Sequence, residues 1–283
     1  MPVRTVNGSP LYYEVSGRGM PLVFLHEHGL THEMFKPQTD YFRNRCLVVT
    51  VDLRGNGHSG RLEGSSDTVC GVQCEDVSLL LGHLGIRRAV LVGVGYGSVV
   101  AQLFAVRYPE QVLGLVLADT PAGHAPKGPA LQAALAASWL SAYLPGELAL
   151  RSLRILYSRW GLAYQTLRKG LLHKRPGDLH KQRLAAARLD CSTLLTRIRV
   201  PALCLAGEHS PPDLRQMKEA AGMLPCGRFA VIPDSLAPSN LCSPDQFNAA
   251  IERFLNEETL LAGAEAAPGI PDTPRRAAGG SGG

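Results

Sequence analysis

The residues best equipped for chemistry stand close to the N-terminal end of the chain, in the run His26-Glu27-His28-Gly29. A carboxylate between two imidazoles can hold, share or relay a proton near neutral pH. In a partly dry pocket, burial should raise the Glu27 carboxyl toward neutrality and suit it to general acid or base work. His26, Glu27, His28 and His32 also offer metal-ligand types. Their spacing is not His-Glu-x-x-His and they fall on a loop, not on one helical face, so no metal is expected. A second run, Gly93-Val94-Gly95-Tyr96-Gly97, follows an apolar stretch and opens a helical one. It does not spell Gly-x-Gly-x-x-Gly, because Ser98 and Val100 follow, so a dinucleotide is not expected. The sequence calls for no cofactor.

These residues need a scaffold. Short apolar runs at Pro21–Leu25, Leu47–Asp52, Ala89–Val92, Val112–Ala118, Ala202–Ala206 and Phe229–Ile232 read as buried strands, with Leu11–Val15 as an edge strand or hairpin. Helical stretches at Met34–Arg43, Thr68–Leu84, Tyr96–Arg107, Asp213–Leu224 and Asp245–Leu261 alternate with them. Continuous apolar strands alternating with helices predict an α/β fold with a mostly parallel sheet covered on both faces. Residues 121–200 break that rhythm. They are rich in Ala, Leu and Arg, are punctuated by Pro126, Pro129, Pro145 and Pro176, and read as a helical lid inserted between two strands. The expected division is a core over 1–120, the lid over 121–200, the rest of the core over 201–261, and a disordered tail over 262–283 that ends in Gly-Gly-Ser-Gly-Gly.

The chain has 283 residues and is 45% hydrophobic, enough for one large domain and too much for global disorder. Its net charge of +5 is uneven: residues 121–200 carry 13 Lys and Arg against 3 Asp and Glu. Such a segment is either a solvated helical face or a surface for an anionic or phenolic ligand. Arg without clustered aromatics gives no nucleic-acid module. Seven Cys without paired spacing fit free thiols in a reducing cytosol, so a cytoplasmic location is expected. The longest apolar run, Ala89–Val106, contains Gly93, Gly95 and Gly97 and reads as strand, turn and helix, not a membrane span.

Five landmarks in order resemble the α/β-hydrolase superfamily over roughly residues 10–260, most of all its enol-lactonase and small-esterase branch. LVFLHEHGLTHEMFKPQ is similar to the oxyanion loop, and VVTVDLRGNGHS to the next strand and its turn. VLVGVGYGSVVAQLFAVRYPEQVLGLVLADT is similar to the nucleophile elbow with its helix and following strand. PALCLAGEHS and FAVIPDSLAPSNLCSPDQFNAAIERFL are similar to the acid and histidine segments. The resemblance implies an α/β-hydrolase fold and an elbow reading Gly-x-Ser-x-Gly. Here Gly95 stands at the nucleophile position, Ser210 at the acid and Ala237 at the histidine. It follows that a Ser–His–acid triad is absent and that the chain does not hydrolyse by one.

The resemblance further places the backbone N–H groups of Tyr96 and His28 as oxyanion donors, able to hold an enolate or phenolate. It sets Glu27 beside the nucleophile pocket, where the family has only His-Gly. His209 and Asp234 neighbour former triad positions, and Asp119 stands where some members carry a relocated acid, or else caps the next turn. Trp139, Tyr143, Tyr157, Trp160 and Tyr164 recur at helical spacing in the lid; they either wall a pocket for a planar hydrophobic ligand or pack helix to core. The expected activity is cofactor-free and non-hydrolytic: cyclisation, conjugate addition, carbon–carbon bond formation or isomerisation of a large, partly aromatic, polyketide-type metabolite. A triad-less small-molecule receptor, and a hydrolase with relocated groups, remain alternatives. The expected partner is a small hydrophobic substrate, with no nucleic acid or membrane; the oligomeric state is left open.

Overall fold

The computed structural model describes residues 3–120 and 146–261, together with positions 129, 132, 133 and 136. Eight strands form one sheet: β1 (Val3–Val6), β2 (Ser9–Ser16), β3 (Met20–Leu25), β4 (Cys46–Asp52), β5 (Ala89–Val94), β6 (Val112–Ala118), β7 (Ala202–Gly207) and β8 (Gly227–Ile232). Their order is β1-β2-β4-β3-β5-β6-β7-β8. The β1–β2 and β2–β4 pairs are antiparallel, and every pair from β4 onward to β8 is parallel. This is the predicted α/β architecture. The Leu11–Val15 stretch lies in β2, the inner arm of a hairpin whose outer arm, β1, has only one buried residue and gave no apolar signal.

All residues of β3, β4, β5 and β7 are buried, as expected of strands covered on both faces. The side-chain period of two divides them between two cores. Val23, Leu25, Val49, Val51, Leu91 and Leu115 face one layer. Leu22, Phe24, Val48, Val90, Val92 and Val116 face the other. Burying each such side chain is worth about 1.5–3 kcal/mol, so the strand ends that carry the site are held rigidly.

The helices are α1 (Lys36–Phe42), α2 (Val69–His83), α3 (Tyr96–Arg107), α4 (Gly146–Leu156), α5 (Gly161–His173), α6 (Pro176–Arg188), α7 (Cys191–Leu195), α8 (Pro211–Met223), α9 (Ser239–Cys242) and α10 (Pro244–Glu257). The stretch read as a helix from Met34 begins as a 3-10 turn over His32–Phe35 and becomes α-helical at Lys36, where Pro37 pre-sets the helical φ. Helices α4 to α7 fall between β6 and β7, within the segment read as a lid. Trp139 and Tyr143 lie outside the described residues, as do 262–283. All seven cysteines are free thiols, and five are buried. No helix among the described residues is long and apolar enough to cross a membrane.

Candidate functional site

The site forms where β3 and β5 end side by side, paired as far as Leu25 and Gly93. After β5 the chain turns sharply into α3, and Gly95 at the apex has φ 54° and ψ −116°. That left-handed conformation is strained for residues with a side chain. The turn is tied on several sides. The Gly95 N–H donates to the Ala118 carbonyl, and Ser98 Oγ donates to the Gly93 carbonyl at 2.7 Å. A Cβ on Gly97 would lie 1.9 Å from the Leu25 carbonyl oxygen, so only glycine lets α3 approach β3 this closely.

Glu27 enters from the loop after β3 and its carboxylate lies over Gly95. A Cβ built on Gly95 would fall 1.1 Å from Glu27 Oε2. The carboxylate thus takes the space in which a side chain at the elbow would stand. Oε2 accepts the Tyr96 N–H at 2.8 Å, and Oε1 accepts the His28 N–H at 2.7 Å. These are the two backbone donors assigned above to a substrate oxyanion. That expectation is corrected: both are engaged by the protein's own carboxylate.

The expected rise of the Glu27 carboxyl is corrected too. Burial does push it up, but attraction to His28 and the hydrogen bonds from His28 and Tyr96 outweigh burial and hold it below the usual carboxylate range. Its side chain is 26% exposed, yet both oxygens are engaged by donors. Glu27 is therefore an anion at neutral pH and a weak base. Oε1 also lies 2.8 Å from His28 Nδ1, which fixes the ring with Nδ1–H toward the carboxylate. His28 Nε2 is then the basic nitrogen. It is covered and has no hydrogen-bond partner among the described residues. The ring lies against Tyr96, centroids 4.3 Å apart.

The rest of the His-rich run disperses. His26 is wholly buried, with Nδ1 on the Glu27 carbonyl at 2.8 Å and Nε2 accepting the Leu53 N–H at 2.9 Å. Burial lowers its pKa, so it is a neutral strut joining the loop to the end of β4. His32 turns away to Asp52, its Nδ1 2.7 Å from Oδ1.

At the opposite wall, the Ala237 N–H donates to Ser210 Oγ at 3.1 Å, so these two positions still touch. Tyr157 donates to the Ala237 carbonyl. Asp119 has φ 50° and reaches two other elements. It accepts the Ser239 N–H at 2.6 Å and the Gly207 N–H at 3.3 Å, so it links the end of β6 to the end of β7 and the start of α9. Burial pushes its carboxyl up to about 7, against the opposing hydrogen bonds. Asp213 in the first turn of α8 went unnoticed in the sequence because an acid at a helix start reads as a cap. Its carboxyl is raised by burial, and Glu27 adds to the rise. His209 and Asp234 meet at 3.2 Å on the exposed rim, where Arg159 also reaches Asp234.

In the lid, Tyr157 is buried, and Trp160 and Tyr164 pack against the core beneath them. A cavity of about 610 Å³ adjoins the loop just past His28, lined by Gly29, Leu30, His58, Lys169, His173 and Lys174 among others. Its described rim is basic, not aromatic. Arg183 of α6 adds an attractive charge near Glu27.

A twisted, mostly parallel sheet with a strand–turn–helix elbow and a helical insertion before the last two strands defines an α/β-hydrolase architecture. The chain belongs to the alpha/beta hydrolase fold family, which it matches over residues 21–240. It is 26% identical over 255 residues to 3-oxoadipate enol-lactonase 2 of Acinetobacter baylyi, covering 83% of this chain and 88% of that one. It is 31% identical to mouse epoxide hydrolase 4 over 118 residues, but this match spans only 33% of that protein's length. An esterase from Thermogutta terrifontis superposes with a TM-score of 0.80 at 26% identity, covering 91% of this chain and 98% of the esterase.

Proposed function

We propose that the chain is a cofactor-free, triad-less member of its family that moves a proton on a small metabolite through a Glu27–His28 dyad. The carrying observation is that Glu27 fills the space over Gly95, holds His28 by Nδ1, and leaves Nε2 without a partner. A carboxylate that fixes an imidazole tautomer and stabilises the imidazolium is the supporting half of a triad. Here it is rebuilt from one loop, with no nucleophile attached. Gly95, Ser210 and Ala237 offer no nucleophilic oxygen, carboxylate or imidazole in the elbow's usual order.

In this reading substrate binding uncovers the buried His28 Nε2, which takes a proton from carbon next to a carbonyl, or from a phenol, and Glu27 balances the charge that appears on the ring. Proton transfer of this kind contributes about 10²–10⁴ in rate. The resulting enolate or phenolate serves isomerisation, cyclisation or carbon–carbon bond formation, consistent with a partly aromatic, polyketide-type substrate. The basic rim at Lys169, His173 and Lys174 suits a ligand with anionic or phenolic character. A specific observation favours a second reading, that of a receptor: both backbone donors at the elbow already hold Glu27, so no oxyanion site stands open.

The test is a panel of aryl ketones, phenolic polyketides and enol lactones, incubated in D₂O and separately in H₂¹⁸O. Deuterium entering carbon-bound positions with wild type, and slowed at least about 10²-fold in His28→Phe, supports the dyad. Uptake of ¹⁸O into product replaces it with hydrolysis. A ligand-induced rise in Tm with no exchange and no product replaces it with the receptor.

A further inference from the structure

A second constellation, outside the dyad, stands at the end of β4. Asp52 is fully buried, with two histidines around its carboxylate. Its Oδ1 lies 2.7 Å from His32 Nδ1, and its Oδ2 lies 3.5 Å from His58 Nδ1. One ligand atom from each of the three residues falls within 4.8 Å of the other two. We propose that His32, Asp52 and His58 form a divalent transition-metal site, most suited to Zn²⁺, that staples the loop following the dyad to the turn after β4.

Three features argue that this is more than proximity. The first is preorganisation: the backbone N–H of His32 donates to Asp52 Oδ1 at 2.7 Å, and that of His58 to Oδ2 at 2.9 Å. Both histidine backbones are therefore anchored to the carboxylate their side chains would share. The second is the outer partner. Glu14 Oε1 lies 3.5 Å from His32 Nε2, and Tyr12 fixes Glu14 by a 2.8 Å hydrogen bond. At this distance Glu14 is an ion-pair partner, not a hydrogen-bond acceptor; its charge favours a proton on Nε2 once the metal displaces the Nδ1 proton that now goes to Asp52, the arrangement metal-binding histidines usually adopt. The third is access: His58 lines one open cavity, and His32 and Glu14 line another.

The dimensions agree. With bonds of about 2.0–2.2 Å, tetrahedral ligands stand roughly 3.4 Å apart. The Asp52 Oδ2–His58 Nδ1 separation of 3.5 Å already matches, and the 2.7 Å contact of His32 Nδ1 with the other carboxylate oxygen, Oδ1, opens by roughly 0.7 Å when the ion replaces the proton between them. That proton leaves to solvent. Two imidazoles and one carboxylate leave a fourth position for water, and imidazole donors favour Zn²⁺, Cu²⁺ or Ni²⁺ over Mg²⁺ or Ca²⁺. Neither His28 nor Glu27 takes part, so the staple acts on the loop from its C-terminal side.

The experiment is calorimetric titration of the full chain with ZnCl₂, in a Cys226→Ser background that removes the exposed thiol. The visible spectrum of the Co²⁺ form is recorded in parallel. The expected result is one Zn²⁺ per chain, a tetrahedral Co²⁺ band and a rise in Tm that EDTA reverses. His58→Ala, at a side chain 54% exposed, should weaken binding at least tenfold. Glu14→Gln should weaken it about 10–100-fold while leaving the three ligands intact. Absence of saturable binding, or binding of equal strength in His58→Ala, overturns the proposal.

Discussion

The contact between Gly95 and Glu27 permits a quantitative test. In Gly95→Ala the new methyl would sit 1.1 Å from Glu27 Oε2, so the carboxylate must leave. Leaving costs the hydrogen bonds from Tyr96 and His28, which as bonds to a charged group are each worth about 1.5–3 kcal/mol. Holding alanine at φ 54° adds about 1–3 kcal/mol of backbone strain. Water replaces part of the lost hydrogen bonding, so the single variant should lose roughly 3–6 kcal/mol. Glu27→Ala loses the same bonds without the strain, or about 2–4 kcal/mol. The double variant loses those bonds only once. Its destabilisation should fall short of the sum of the singles by at least about 2 kcal/mol, a coupling typical of residues in direct contact. Urea unfolding of the four proteins at pH 7.5 measures this. Additivity within about 0.5 kcal/mol would refute the placement of Glu27 over the elbow, and with it the dyad argument.

Two further outcomes follow from buried charges. Asp119 has a folded pKa of about 7, above its unfolded value, so the fold favours its protonated form. Stability should therefore fall as pH rises between about 4 and 7, and level off above; Asp119→Asn should flatten that slope in Tm measured from pH 4 to 8. An unchanged slope would place the titration elsewhere. Arg54 pairs with Asp76 through two bonds of 2.8 and 2.6 Å, with both residues buried. Asp76→Ala should cost about 3–5 kcal/mol in urea unfolding by stranding the guanidinium, and a loss under 1 kcal/mol would contradict its burial.

The position of Glu27 was legible as an oddity, a carboxylate inserted between two histidines in the loop after β3, but its protonation was not. Sequence reasoning treated burial as the dominant force on its pKa. The structure sets two backbone N–H groups and an imidazole against burial, and these win. The same omission misassigned the oxyanion donors, because a donor's availability depends on what else reaches it. The Asp52 cluster was missed because His32 comes from a loop distant in sequence from the end of β4 and its turn, which supply Asp52 and His58. His32, Asp52 and His58 have no common spacing, and only the closing of β4 beside β2 and β3 brings them together.

By itself the sequence determined the architecture. Apolar runs too short for helices and too continuous for half-exposed strands require a sheet buried on both faces, and their alternation with helices requires parallel crossovers. It also determined which elements cannot be present, because glycine at 95 has no side-chain oxygen in any conformation. Only the tertiary structure decided what fills the space glycine leaves. That outcome rests on a contact 69 residues apart in sequence, between Glu27 and the Tyr96 N–H, whose geometry is fixed by the pairing of β3 with β5. Local patterns encode the elements because their forces act over a few residues. The state of a buried carboxylate depends on every group around it, and those groups are assembled only by the fold.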